Sequence, residues 1–111
     1  WGQTGGSCEV HYSAAKAGVI GLTRHISMDL GRHAITINAV APGTVLSGER
    51  VEEYWNNRKT EEERQAFLAA NPLGRLGTVE DIAGAVFFLS SPEASYITGA
   101  VLDVNGGSWV G

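Results

Sequence analysis

Two short apolar segments are the parts of this 111-residue sequence that have the character of β-strands. Residues 34–41 are β-branched and mostly apolar and are followed by Pro42 and Gly43, while residues 100–104 end at the Asn-Gly-Gly turn of residues 105–107. Helix-forming sequence separates the two segments, so the pattern predicts a parallel pair in an α/β sheet. Parallel sheets normally have several strands. We therefore expect further strands from preceding chain, from another polypeptide or from a symmetry-related copy.

The rest of the sequence predicts one loop and several helices. Residues 1–11 are polar and rich in glycine, which predicts a loop. A helix is expected from about Ser13 to Leu30, and Gly31 is a natural stop. Three further helices are expected over residues 49–58, 60–70 and 79–90.

Two of these helices carry capping signals at their first turn. Thr60 precedes Glu63 by three residues, and Thr78 precedes Asp81 by the same interval. In such a capping box the hydroxyl and the carboxylate each accept a hydrogen bond from the other residue's backbone N–H. Both positions are therefore predicted helix starts.

Composition excludes several classes of function. The net charge is −4 and there is no basic patch, so we do not expect a nucleic-acid partner. No apolar run reaches the roughly 20 residues that span a bilayer, and we expect no signal sequence. The single cysteine, Cys8, cannot form a disulfide within the chain, which suits the cytoplasm. The spacing of His11, His25 and His33 does not suit a metal, and no metal site is expected.

Tyr12 and Lys16 are the candidate catalytic pair. Residues at i and i+4 lie on the same face of a helix, so both polar groups can reach one pocket. A nearby ammonium favours the phenolate, which makes a tyrosine a possible general acid or base near neutral pH. The alternative for the pair alone is a surface tyrosine beside a solvated lysine, and the neighbouring motifs decide between the two.

Four segments in order resemble the C-terminal half of a short-chain dehydrogenase/reductase, of the kind that includes 3-oxoacyl-carrier-protein reductases and sugar dehydrogenases. They are the Tyr-Ser-Ala-Ala-Lys motif and the residues after it, the strand that leads to Pro-Gly, the Pro-Leu-Gly-Arg-Leu-Gly-Thr segment, and Ile-Thr-Gly with the Asp-Val-Asn-Gly-Gly that follows; they occupy residues 12–23, 37–43, 72–82 and 97–107. Nearly the whole chain takes part in this resemblance.

The resemblance implies the fold class and the reaction. Residues 1–111 would form a single partial domain, the C-terminal portion of a doubly wound, Rossmann-like parallel sheet that lacks the N-terminal dinucleotide-binding strands. Hydride would pass between NAD or NADP and a small carbonyl or alcohol substrate. Tyr12 would exchange the proton with the substrate oxygen, while Lys16 would hold the nicotinamide ribose and lower the tyrosine pKa.

The same resemblance implies the remaining site residues and partners. Pro42, Gly43, Val45 and Ser47 would lie against the nicotinamide, with Tyr12 and Lys16 completing the cofactor-binding set. The backbone of Val45 would bind the carboxamide, and residues 44–70 would cover the substrate. Members of this kind usually form homo-oligomers, so a dimer or a tetramer is expected.

The glycine-rich phosphate-binding turn of the family, its catalytic serine and its catalytic asparagine have no counterpart in this sequence. We therefore expect the 111 residues alone to be inactive, and to bind NAD or NADP only with the missing half present. One alternative is a truncated, non-catalytic homo-oligomer. Another is an extended epimerase or dehydratase, against which the short tail after residue 107 argues. The substrate, and the choice of NAD or NADP, stay open.

Overall fold

The computed structural model describes the backbone of residues 6–108 and the side chains of residues 13–108. Helices precede and separate two short strands along this part of the chain. In chain order the elements are α1 (Gly6–Leu30), a 3₁₀ turn (Gly31–His33), β1 (Ala39–Pro42), α2 (Glu49–Glu53), a π-helical turn (Tyr54–Arg58), α3 (Glu61–Ala69), α4 (Val79–Leu89), a second 3₁₀ turn (Pro92–Ala94) and β2 (Val101–Val104).

β1 and β2 pair with each other in a two-stranded parallel sheet. The N–H of Ala39 donates to the carbonyl oxygen of Ala100, and the N–H of Gly43 donates to that of Val104, both at 2.9 Å. Residue numbers rise together along both strands, which is the signature of parallel pairing. The predicted α/β class and the parallel pairing are confirmed.

The predicted strand 34–41 is wrong for residues 34–38, because β1 begins at Ala39. Ala34 takes a left-handed conformation with φ of 58° at the end of the 3₁₀ turn, and its N–H donates to the carbonyl of Gly31. Asn38 then reaches the facing segment with its side chain, which bonds to Ile97 and Ala100. An amide side chain supplies a donor and an acceptor there, so the strand ladder begins only at Ala39.

α1 begins at Gly6, so the predicted loop over residues 1–11 is wrong for its described part, residues 6–11. These residues contain no proline, and extending an existing helix costs far less than nucleating one. Thr23 and Ser27 are the buried residues among its described side chains, 5% and 8% exposed. Their hydroxyls donate to the carbonyls of Val19 and Arg24, both at 2.7 Å, so α1 packs through small, internally satisfied polar groups.

Both predicted capping boxes are confirmed. The Thr60 hydroxyl accepts from the Glu63 N–H at 3.1 Å, and the Glu63 carboxylate accepts from the Thr60 N–H at 2.9 Å. Thr78 and Asp81 repeat this exchange at 3.1 and 2.8 Å. Each box satisfies two backbone N–H groups that a helix start leaves without a partner within the helix.

The chain divides into two compact units. One contains Trp1–Ala39 and Ser91–Val101, and the other contains Val40–Ser90 and Leu102–Gly111. Ala94 is the buried apolar residue of the first unit and Leu76 that of the second, within the part of the chain whose side chains are described. None of the helices described between residues 6 and 108 is long and apolar enough to cross a membrane.

Candidate functional site

α1 carries both members of the candidate catalytic pair. Tyr12 and Lys16 are one turn apart in this continuous helix, so their Cα–Cβ bonds leave the same face. Lys16 is exposed to solvent. The Tyr12 side chain lies outside the described residues, and the predicted role of its phenol stays a prediction. The side chains of Cys8 and His11 also lie outside the described part.

The loop after β1 starts from a close backbone contact. Pro42 is the exposed last residue of β1, and Gly43 follows it. A Cβ atom on Gly43 would lie 2.8 Å from both the Cα and the Cβ of Asn105. Contacts this short do not occur between real side chains, so only glycine fits at this position. The sequence predicted the turn, but not the role of Asn105 in requiring a glycine.

Val45 sits in an isolated parallel bridge with Gly77. The N–H of Gly77 donates to the carbonyl of Thr44 at 2.9 Å, and the N–H of Leu46 donates to the carbonyl of Gly77 at 3.2 Å. In a parallel bridge of this kind the peptide groups of the middle residue point away from the partner. Val45 therefore directs one N–H donor and one C=O acceptor to the side opposite Gly77.

Ser47 is exposed at the end of this loop. The next residue, Gly48, is the N-cap of α2 and has a φ of 109°, a backbone conformation that favours glycine. The second compact unit thus brings Pro42, Gly43, Val45 and Ser47 together along one short loop, and the first unit contains Tyr12 and Lys16.

Arg64 holds the π-helical turn and α3 together as a helical hairpin. Its guanidinium donates to the carbonyls of Trp55, Asn56 and Lys59 at 3.1, 3.1 and 2.7 Å, across the turn between the π-helical residues and α3. It also pairs with the carboxylate of Glu61 at 2.8 Å. One planar group with five N–H donors is well suited to hold several carbonyls at once.

Aromatic contacts add to this hairpin. The rings of Trp55 and Phe67 meet edge to face, with centroids 5.5 Å apart and planes at 76°. The ammonium of Lys59 lies 5.3 Å from the ring centroid of Phe67 and 5.8 Å from that of Tyr54. Side-chain contacts within residues 54–67 therefore hold this hairpin together.

An open cleft of about 180 Å³ lies in the second unit beside the Val45–Gly77 bridge, and its lining includes Thr44, Asn71, Arg75, Asp81 and Asn105. Arg75 donates to both carboxylate oxygens of Asp81, at 2.8 and 3.2 Å. That pairing, together with the Thr78 N–H, holds the pKa of Asp81 well below its usual range, and Asp81 raises the pKa of Arg75.

Two glutamates of α3 also have lowered pKa values. Hydrogen bonds from Gln65 and Arg64 lower the pKa of Glu61, and the backbone N–H of Thr60 lowers that of Glu63. The same hydrogen bonds stabilise the start of α3, and they move both pKa values away from neutrality. Within residues 6–108 the side chains described form no cluster of three or more His, Cys, Asp or Glu that could hold a metal ion.

A family model described as enoyl-(acyl carrier protein) reductase matches residues 2–108 of the sequence. The chain belongs to the short-chain dehydrogenase/reductase family. The resemblance stated from its sequence motifs is thereby confirmed.

Several curated members of this dehydrogenase/reductase family are similar to the chain. It is 44% identical to the 3-oxoacyl-acyl-carrier-protein reductase FabG of Vibrio cholerae over 98% of this chain and 42% of the relative. The FabG of Pseudomonas aeruginosa is 43% identical over the same shares. An L-rhamnose 1-dehydrogenase (NAD(P)(+)) of a Sphingomonas species is 43% identical over 96% of this chain and 40% of that enzyme. The chain therefore spans about two fifths of the length of these curated relatives.

Proposed function

We propose that the chain is the C-terminal portion of an NAD(P)-dependent oxidoreductase that interconverts a small carbonyl compound and its alcohol. The observation that carries the proposal is the placement of Tyr12 and Lys16 one turn apart on a single helix, in a chain of this family. The two-stranded parallel sheet supports the assignment as a partial domain. A parallel sheet normally has more than two strands, so this pair would belong to a larger sheet. The further strands would lie in the part of the relatives' length that this sequence does not span.

In this proposal Tyr12 handles the proton. During reduction its phenol donates a proton to the carbonyl oxygen as the carbonyl carbon is reduced, and during oxidation the phenolate takes the proton back. The positive charge of Lys16 stabilises the phenolate and so lowers the work of that transfer. A proton donor performs best when its pKa lies near the working pH, which an unassisted tyrosine does not achieve.

In this proposal the loop after β1 binds the nicotinamide through the backbone donor and acceptor of Val45. Val45 directs one N–H and one C=O away from Gly77, and a carboxamide presents the complementary acceptor and donor. Pro42 and Gly43 would lie against the ring, Ser47 would bond to the same region, and Lys16 would hold the ribose hydroxyls. When bound, the dinucleotide supplies or accepts the hydride, while the protein provides placement.

Residues 44–70 would cover the substrate in the complete enzyme. The helical hairpin held by Arg64 forms most of this segment, so it would move as one body rather than as a loose loop. Residues 1–111 would act as one partial domain, inactive without the dinucleotide-binding half. The lone Cys8 agrees with a cytoplasmic location.

Substitution of Tyr12 tests the proposed reaction. The protein carrying these 111 residues is assayed for oxidation of NADH and NADPH with a small 3-oxo ester, and for their formation with a sugar alcohol or aldose. We expect Tyr12→Phe to abolish turnover and to leave dinucleotide binding unchanged. Tyr96→Phe is the matched control, because Tyr96 is fully exposed and should tolerate the change. Near-normal turnover in Tyr12→Phe contradicts the assignment.

A second candidate is a non-catalytic homo-oligomer, which the exposed apolar side chains of two helices favour. Met28 of α1 is 80% exposed and Phe87 of α4 is 78% exposed, and exposed apolar patches mark interaction surfaces. Sedimentation of the purified protein tests this candidate. Species at multiples of 11.7 kDa that dissociate in Phe87→Asp support it, and a stable 11.7 kDa monomer contradicts it.

A further inference from the structure

We infer that the contact between Ser27 and Gly99 is a positioning contact that fixes where α1, and with it Tyr12 and Lys16, sits in the first compact unit. The inference rests on the proposed function for its catalytic consequence. Its structural part concerns residues that all belong to that unit.

The contact is too close for any residue but glycine at position 99. A Cβ atom there would lie 2.7 Å from the hydroxyl oxygen of Ser27 and 3.4 Å from the Ser27 Cβ. Ser27 is only 8% exposed, and its hydroxyl is held by donating to the carbonyl of Arg24 at 2.7 Å. A side chain so held has little freedom to move aside, so α1 itself would have to shift.

The backbone that carries Gly99 is fixed from the other side. The N–H of Gly99 donates to the carbonyl of Ile37 at 2.7 Å. The Asn38 amide donates to the carbonyl of Ile97 at 3.1 Å and accepts from the N–H of Ala100 at 3.0 Å. The Thr98 hydroxyl accepts from the N–H of Ile37 at 3.0 Å. These hydrogen bonds hold the backbone of Gly99 in place beside α1.

The helix converts a small shift at Ser27 into a larger one at the catalytic pair. α1 is continuous from Gly6 to Leu30, and a helix rises about 1.5 Å per residue. Ser27 thus lies roughly 17 Å along the axis from Lys16 and roughly 23 Å from Tyr12. A tilt of about 5° at Ser27 would displace Lys16 by about 1.5 Å and Tyr12 by about 2 Å. Misplacement by about 1 Å can cost about a hundredfold in rate.

Gly74 provides a matched control for the backbone. Gly99 and Gly74 have nearly the same φ, 74° and 71°, so alanine is strained equally at both positions. A Cβ on Gly74 would meet nothing within 4 Å. The difference between Gly99→Ala and Gly74→Ala therefore isolates the collision with Ser27.

Three variants of the protein carrying this chain test the inference: Gly99→Ala, Gly74→Ala, and the double variant Ser27→Ala/Gly99→Ala. The double variant removes the hydroxyl and leaves an ordinary 3.4 Å contact between methyl groups. The measurements are kcat per folded molecule, KM for the dinucleotide, and the amide chemical shifts of residues 13–21 by NMR.

We expect Gly99→Ala to lower kcat by about tenfold or more, with KM for the dinucleotide changed by less than about twofold, and to displace the α1 amide resonances. The double variant should restore most of the lost kcat and return the α1 amide resonances close to their original positions. Gly74→Ala should change neither kcat nor these resonances. If Gly99→Ala does not fold, recovery of folding by Ser27→Ala is the deciding result. The inference is overturned if the double variant has the same kcat and α1 amide shifts as Gly99→Ala. It is also overturned if Gly74→Ala changes them as much as Gly99→Ala does.

The amide shifts separate this inference from the proposed function. Displaced α1 resonances that the double variant restores support the contact even when the unsubstituted protein does not turn over. Absence of turnover with both dinucleotides, in a protein that contains the dinucleotide-binding half as well as these residues, overturns the proposed reaction. Unmoved α1 resonances in Gly99→Ala overturn the positioning contact, whatever the activity.

Discussion

Gly43 and Asn105 approach so closely that a methyl group on Gly43 would lie 2.8 Å from both the Cα and the Cβ of Asn105. The N–H of Gly43 also donates to the carbonyl of Val104, the last residue of β2. The loop that carries Val45 and Ser47 therefore starts from a point fixed by the carboxyl end of the neighbouring strand. Residues at such an edge are where ligands of open α/β sheets bind.

Gly43→Ala should destabilise the protein because the new methyl group collides with the backbone of Asn105. We expect a loss of about 1–3 kcal/mol in the free energy of unfolding, the usual range for overpacking. Gly84→Ala is the control, since a Cβ there meets nothing within 4 Å in α4. It should stabilise by about 0.5–1 kcal/mol through helix propensity. Urea denaturation measures both, and equal effects at the two positions would contradict the close contact.

Asn38→Ala should cost more than Thr98→Val, although both side chains bond to the facing backbone. Removal of the amide leaves the carbonyl of Ile97 and the N–H of Ala100 without this partner in a half-buried setting, for a loss of about 2 kcal/mol. The Thr98 hydroxyl accepts a single bond at an exposed position, so we expect a loss of about 0.5 kcal/mol. Thermal and urea unfolding of the two variants provide the comparison. A larger loss in Thr98→Val would refute this account of the Asn38 bridge.

Arg64→Lys should loosen the helical hairpin formed by the π-helical turn and α3 without changing its charge. A lysine ammonium cannot hold the carbonyls of Trp55, Asn56 and Lys59 in the geometry of a guanidinium. We expect a loss of about 1–3 kcal/mol and faster amide exchange in α3. Arg58→Lys is the matched control, because Arg58 is exposed and its replacement should stay within about 0.5 kcal/mol. Unchanged exchange in Arg64→Lys would show that the hairpin does not depend on this side chain.

Asp81→Asn should reduce stability at neutral pH, and the reduction should shrink in acid. Arg75 and the Thr78 N–H lower the pKa of Asp81 in the folded state below its ordinary value of 3.8. A carboxylate with a depressed folded-state pKa contributes stability above its unfolded-state pKa and loses that contribution as the pH falls through the folded-state value. The difference in the free energy of unfolding between the wild type and Asp81→Asn should therefore become smaller below pH 3.8.

Unfolding curves between about pH 2 and 7 check the Asp81 prediction. The guanidinium of Arg75 is the main cause of the lowered Asp81 pKa. In a protein that already carries Arg75→Gln, the loss of stability caused by Asp81→Asn should therefore depend less on pH. A difference between the wild type and Asp81→Asn that is the same at all pH values, or that becomes larger in acid, would contradict the assigned cause.

The sequence predicted those features whose causes lie within one helical turn. Thr60 with Glu63 and Thr78 with Asp81 are three residues apart, so the capping boxes could be recognised directly. The parallel pairing followed from the helices between the strands.

Features that depend on distant residues were missed. Asn38 replaces strand pairing with side-chain bonds to residues 97 and 100, and its own neighbours contain no sign of this. The glycine requirement at Gly43 comes from Asn105, and that at Gly99 from Ser27. For the candidate site, spacing predicted that Tyr12 and Lys16 share a helix face, while the role of the phenol stays a prediction.

The pairing of β1 with β2 joins positions separated by about sixty residues of intervening chain. The entropy of closing a long loop grows only with the logarithm of its length, so doubling that length costs about 0.6 kcal/mol. Insertions or deletions between α2 and α3 should therefore hardly affect the strand pair. Changes in the length of this segment therefore have little effect on the free energy of the strand pair.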